Sequence, residues 1–452
     1  MRSKSLLVLL VVFLSLLAVV LFLKPKVKDE AELTLVDLKS EDVRKISLKR
    51  GAEVLTFEKD GRGEWAVTEP LSAPADAFEV NRLAEDFASL KAEKVVDSGA
   101  KDPAEFGLPQ AEISLWTKGQ SRPVTIILGT ENPLDKTIYA QKAGEARIVL
   151  LSGLLKSTLD KKLLDFRQKD VFRFETAEAG SIRLKSKDMS WEAELRQGRW
   201  SLLKPVAGPA QKTQLDGLLS TLSGLRAKDF VSEQKNDADM KRFGLDKPDF
   251  EVTVSLTETG RDEVFIVRKR GDKVYATTAS SNKIIQVEEQ LLADLEKKPD
   301  SLREKRPAVF DAWMVDRLEI RKDGLSFAVS RKNRGPWIFL SGETGPADEA
   351  KVETFIRQIG NMEATEFIDR PGPPVGYGLD RPRAEVKLQT PGEDGKMRET
   401  VLQFGAEDTA ARLLVVKNSE YSNIFRVSSA IFDDFPKAAS DWKKTGPKDK
   451  RP

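Results

Sequence analysis

The chain has 452 residues, 40% of them hydrophobic and 32% charged, a length that asks for several domains of ordinary size. With 74 Lys and Arg against 72 Asp and Glu, its net charge of +2 removes the usual electrostatic case for a nucleic-acid binder. The absence of Cys and His excludes disulfides, thiolate or imidazole metal sites, cysteine nucleophiles and a Ser-His-Asp triad, leaving carboxylates, Lys, Tyr and Ser/Thr for any catalysis.

The first predicted element is an 18-residue apolar run, Leu6 to Leu23, broken only by Ser15. A helix of that length spans roughly 27 Å, close to a bilayer core of about 30 Å. Arg2 and Lys4 precede the run and Lys24, Lys26 and Lys28 come after it. A cleaved signal peptide is the competing reading. The run is longer than the usual signal core and passes into Leu23-Lys24-Pro25 without a small-x-small cleavage site, which favours an uncleaved anchor over residues 1–28. Basic residues on both flanks leave orientation open by charge count. The short basic leader places the chain from about Lys26 onward outside the cytoplasm.

Beyond the anchor, one pattern occurs three times. Trp65, Trp200 and Trp337 lie 135 and 137 positions apart, and nine residues after each stands Pro74, Pro209 or Pro346. Next come apolar residues at i, i+3, i+7 and i+10: Val80, Leu83, Phe87 and Leu90; then Leu215, Leu218, Leu222 and Leu225; then Val352, Phe355, Ile359 and Met362. That spacing predicts a helix with one apolar face laid on a sheet. A short strand is predicted at Val95-Val96, Phe230-Val231 and Phe367-Ile368. An aromatic-Gly-Leu turn comes next, with Gly107, Gly244 and Gly378 free to take positive φ.

Alternating strands come after each turn: Ala111 to Thr117, Glu251 to Leu256 and Ala384 to Leu388. Three more strands succeed them in each copy, and closing helices are expected at Leu154 to Leu164 and Glu288 to Lys297. Opening strands at Ile46/Leu48, Ile182/Leu184 and Leu318/Ile320 recur at a spacing of 136. The fold class is therefore α+β: an N-terminal transmembrane helix followed by three tandem repeats of a mainly antiparallel sheet covered by helices. The expected repeats are 29–168, 169–306 and 307–442, with a basic flexible tail over 443–452.

Most marks read as structure. Each Trp sits in an alternating strand just before a turn, where a large ring anchors a core; a surface row stacking on glycan or peptide is the alternative. Asp76 and Asp348 share a position before the helix, where Gln211 stands in the second copy, and capping explains them better than catalysis. Asp135-Lys136-Thr137 lacks the rest of an aspartyl-phosphate signature and reads as a turn. None of the five Ser-x-x-Lys matches is supported by a Ser-Asp-Asn and Lys-Thr-Gly pair. There is no phosphate loop and no calcium loop. No residue is assigned a catalytic, cofactor-binding or metal-ligating role, and no cofactor is expected. Trp65, Trp200, Trp337, Pro74, Pro209, Pro346, Gly107, Gly244 and Gly378 are structural marks of the repeat.

The order Trp-x4-Pro, amphipathic helix, Phe/Tyr-Gly-Leu-(x2)-Pro, strand and Tyr-Ala resembles the bacterial domain-of-unknown-function family 4340. It is carried by Trp65 to Pro70, Phe106 to Pro109 and Tyr139-Ala140; by Trp200 to Pro205, Phe243 to Pro248 and Tyr275-Ala276; and by Trp337 and Tyr377 to Pro382. The third copy departs at Gly342 and at Leu414-Val415. The resemblance implies a single-pass protein of the bacterial inner membrane with its bulk in the periplasm. It also implies a membrane-complex partner, such as subunits of an ABC transporter of the gliding-motility type, and it offers no catalytic residue. The residues and the resemblance together give a non-catalytic extracytoplasmic scaffold or adaptor, with an envelope-polymer (glycan or peptide) binding protein or a carboxylate-dependent hydrolase as alternatives.

Overall fold

The computed structural model describes residues 33–392 and 396–445. The expected anchor at Leu6 to Leu23 lies outside them. Among the described residues no helix is long and apolar enough to cross a membrane.

Three antiparallel sheets match the three repeats. The first is built from β1 (Val43–Arg50), β2 (Glu53–Lys59), β3 (Trp65–Glu69), β4 (Ala73–Pro74), β5 (Lys94–Asp97), β6 (Ala111–Thr117), β7 (Val124–Glu131), β8 (Ile138–Lys142) and β9 (Ile148–Leu151). Its order is β4-β3-β2-β1-β6-β7-β8-β9-β5. The helix Ala77–Ala88 leaves β4 at one edge and delivers the chain to β5 at the other, so it must cross the sheet face. Val80, Leu83, Phe87 and Leu90 are all buried there, as the spacing predicts.

The second repeat has the same order in β10 (Ala179–Ser186), β11 (Ser190–Arg196), β12 (Arg199–Lys204), β13 (Gly208–Pro209), β14 (Asp229–Ser232), β15 (Phe250–Leu256), β16 (Asp262–Arg270), β17 (Lys273–Thr278) and β18 (Ile284–Val287). The third uses β19 (Arg317–Lys322), β20 (Leu325–Ser330), β21 (Ile338–Ser341), β22 (Ala364–Ile368), β23 (Ala384–Pro391), β24 (Met397–Asp408), β25 (Leu413–Asn418) and β26 (Ile424–Ser428), and lacks the two-residue edge strand. Helices Lys212–Ser223 and Glu349–Gly360 cover these sheets.

The expected closing helices are much shorter than their apolar pattern. They form single turns at Leu155–Leu159 and Leu291–Leu295, each followed by a 3-10 turn, Leu163–Phe166 and Pro299–Leu302. A longer helix would consume residues that the repeat needs in extended form. The chain must turn back to pair with the Pro-Ala strand after each Trp: Ala75 bridges Arg167 and Ala210 bridges Arg303. The third repeat makes the same closure with Ala347 and Lys443. The flexible tail expected over 443–452 is therefore part of the third repeat as far as the description runs. Trp442 is buried edge-on against Phe327 and Phe355, Lys443 pairs with Glu343 at 3.1 Å, and Lys444 donates its backbone N–H to Pro346.

Two compact units divide between Lys169 and Asp170. The first holds repeat 1; the second holds repeats 2 and 3 together.

Candidate functional site

The repeat marks sort by what they touch. Trp65, Trp200 and Trp337 are buried, so their rings are unavailable for stacking on a surface ligand. Trp65 Nε1 donates to Asn81 Oδ1 at 2.7 Å and Trp200 Nε1 to Asp216 Oδ1 at 3.0 Å, both on the covering helix. Asp76 accepts from the backbone N–H groups of Phe78 and Glu79, and Asp348 from that of Lys351, so both cap helices. Gln211 makes no such side-chain bond.

Gly107, Gly244 and Gly378 have φ of 71°, 77° and 65°. Phe106 packs on Tyr139 at 5.3 Å and Phe243 on Tyr275 at 4.9 Å, tying each turn to the Tyr-Ala strand. A Cβ at Gly129 would collide with the Phe106 carbonyl, and one at Gly405 with the Tyr377 carbonyl, which explains the glycine in β7 and β24. Pro74 and Pro346 are exposed and Pro209 is half-buried; their carbonyls take the closing backbone bonds. These residues hold three separate sheets and are not brought together into one site. Among the described residues no group of Asp and Glu is arranged to hold a metal ion.

A buried polar cluster lies where repeats 2 and 3 meet inside the second compact unit, and no motif in the sequence announces it. Arg303, 7% exposed, lies 3.8 Å over the Phe367 ring and grips Asp369 with both terminal nitrogens. A bidentate guanidinium–carboxylate pair on an aromatic face fixes direction as well as distance. Glu304, also buried, donates its backbone N–H to Pro209 and takes a two-pronged ion pair from Arg306 at 3.0 and 2.9 Å. The buried Asn418 donates to the Pro307 carbonyl of the connecting segment at 2.8 Å.

Beside this seam lies a cavity of about 440 Å³, lined among others by Trp200, Gln211, Lys305, Arg306, Glu363 and Tyr421. The loop carrying Tyr421 is held from beneath: Lys417 Nζ donates to the carbonyls of Tyr421 and Asn423. Burial, then the Glu420 carboxylate, push the Tyr421 hydroxyl up to about 12, and burial lowers Lys417. Glu420 itself is gripped by Arg398 and lies 3.8 Å from Arg199 of repeat 2. Arg303 belongs to a set that recurs in all three repeats, the basic residue that bridges the Pro-Ala strand: Arg167, Arg303 and Lys443.

Fold and seam together define a tandem-repeat α+β protein whose last two repeats form one body. The family described as Domain of unknown function (DUF4340) matches residues 65–207, 200–380 and 337–449, each match beginning at one of the three Trp residues. The chain belongs to that family. No curated protein matches the sequence. Among solved structures, the DNA polymerase III subunit beta from Pseudomonas aeruginosa is 8% identical, covering 88% of this chain and 94% of that one at a TM-score of 0.16. A DnaN sliding clamp bound to griselimycin, from the same organism, is 9% identical, covering 86% and 91% at 0.15. Likeness that low carries no argument.

Proposed function

We propose that the protein is a non-catalytic, membrane-anchored extracytoplasmic scaffold or adaptor, an accessory component of an ABC-type transporter complex. The observation that carries this reading is the content of the repetition. What the three repeats hold in common is packing and turn geometry, while polar and charged residues at matching positions differ. An adaptor needs a durable frame and a variable surface, and the drift of polar residues over a constant core fits that need. The apolar run at Leu6 to Leu23 supports a single span at residues 1–28 in the inner membrane, with the repeats on the periplasmic side. The transporter as partner class comes from the family resemblance.

The test is affinity purification of the full-length protein from membranes in gentle detergent, with mass spectrometry of what accompanies it. Co-purification of permease and ATPase subunits is the expected result. Recovery of the protein alone would overturn the adaptor reading and leave polymer binding or hydrolysis to be assayed.

A further inference from the structure

Building on the membrane-anchored reading above, we propose that Leu134 and Leu154 form an apolar prong on repeat 1 that inserts into the surface of the lipid bilayer. They are the two most exposed large apolar side chains among the described residues, at 92% and 84%. One exposed leucine is ordinary on a protein surface. These two lie on loops that touch. A Cβ on Gly153 would collide with the Lys136 carbonyl, so glycine lets the turn before helix Leu155–Leu159 sit against the β7–β8 loop.

The prong is rigid. Asn132 donates its backbone N–H to the Thr137 carbonyl at 2.7 Å, and Lys136 donates to the Asn132 carbonyl at 2.9 Å. Asn132 Oδ1 accepts from the Leu134 N–H at 3.1 Å. Asp135 takes the backbone N–H and the hydroxyl of Thr137, at 3.1 and 2.6 Å. These bonds hold Leu134 out in water, where its apolar surface contributes nothing to folding.

The other repeats lack this feature. In repeat 2, Gly271-Asp272 alone joins β16 to β17, and Gln290 stands at the helix position of Leu154. In repeat 3 the same hairpin closes through Thr409-Ala410-Ala411-Arg412. Repeat 1 is the copy next to the apolar run. Leu33 follows Leu23 by ten residues, so even a fully extended chain holds it within about 35 Å of the end of that run. The chain enters beside the strand that leads to the prong: Ala92 donates to the Leu33 carbonyl and Glu93 to that of Leu150 in β9. Two leucines bury too little area to hold a free protein on a membrane. A tether raises the effective concentration, so that a weak contact is enough to orient the repeat. Charge contributes little, because Lys136 pairs with Glu131 at 3.0 Å and Lys156 with Asp160 at 2.8 Å. The contact therefore needs no anionic lipid.

The chain has no Cys, so a single introduced cysteine reports one position. Full-length Leu134→Cys and Leu154→Cys are labelled with the environment-sensitive fluorophore NBD and reconstituted in phosphatidylcholine vesicles. Both should show blue-shifted emission and lose intensity when the lipids carry brominated acyl chains. The same label on Asp272→Cys or Gln290→Cys in repeat 2 should show neither change. Adding Leu134→Asp should return the label at position 154 to water with the circular dichroism spectrum unchanged, since position 134 is exposed. Flotation of the vesicles separates the anchor from the prong. Protein that floats with both labels in water, or whose labels leave water only when a protein partner is added, overturns the prong and leaves the anchor standing. So does a label at position 154 that Leu134→Asp does not move. Protein that does not float overturns the anchor, and the prong with it.

Discussion

Trp200 in repeat 2 donates its indole N–H to Asp216 on the covering helix. Trp337, at the same place in repeat 3, is fully buried with that N–H unpartnered; Arg331 lies 4.9 Å from its ring and binds Glu353, the residue at the position of Asp216. Repeat 1 resembles repeat 2, with Asn81 as acceptor. The apolar ring and its pocket are constant, and the polar neighbour is free to change. An orphaned indole N–H costs roughly 1–3 kcal/mol, and a guanidinium over a Trp face returns about 0.5–2 kcal/mol. The two solutions are thus close enough in free energy for either to persist.

The harshest way to break this comparison is to delete the rings. Trp200→Ala and Trp337→Ala should each destabilise their repeat by about 3–5 kcal/mol, read by denaturant unfolding with repeat-resolved hydrogen exchange. A loss under about 1 kcal/mol at either site would end the claim that the ring is a shared packing anchor.

A second contrast is in the hairpins: Tyr421 in the β25–β26 loop stands where repeat 2 has Ser281 between β17 and β18. With its hydroxyl pushed up to about 12 by burial, Tyr421 stays protonated in the folded state at pH values where the unfolded chain, near 10, has already released that proton. Its contribution is complete below about pH 10 and falls as pH rises towards 12, by up to about 2–3 kcal/mol. Lys417, lowered by burial, acts with the opposite sign, since the folded state gives up its proton first. The informative quantity is therefore the difference between the parent and Tyr421→Phe. That difference should shrink between pH 10 and 12, and a pH-independent difference would contradict the burial account.

Much of this fold was legible in the residues. Ala111–Thr117 is β6 as predicted, the four apolar residues of each helix face are buried, and the three glycines of the aromatic-Gly-Leu turns have positive φ. Those features depend on local periodicity and on single backbone conformations. The closing helices misled because apolar spacing at Leu154 to Leu164 cannot reveal that the next residues are needed as a bridge to Ala75. Lys443 looked like the start of a flexible tail because its partner, Glu343, is about a hundred residues away. The seam was hidden for the same reason: Arg303 meets Asp369, and Asn418 meets Pro307, only once two sheets have formed.

Two smaller changes sharpen the polar comparison. Asp216→Ala should cost about 1–2 kcal/mol by orphaning the Trp200 indole, which would make repeat 2 resemble repeat 3 without the compensating arginine. Gln211→Asp should gain about 1 kcal/mol by giving repeat 2 the cap that repeats 1 and 3 already have. Thermal unfolding of the full chain checks both signs; a loss on Gln211→Asp would mean that position is not a vacant cap.

Repeats 2 and 3 behave as one body only if the junction at Arg303 couples them. Pulsed hydrogen exchange on the full-length protein tests this directly, tracking peptides from 170–306 and 307–445 as denaturant rises. The two sets should open together, and Arg303→Met, which leaves Asp369 without its partner and Phe367 without its cation, should separate them into two transitions. Independent opening of the two repeats in the unaltered protein would contradict the coupling.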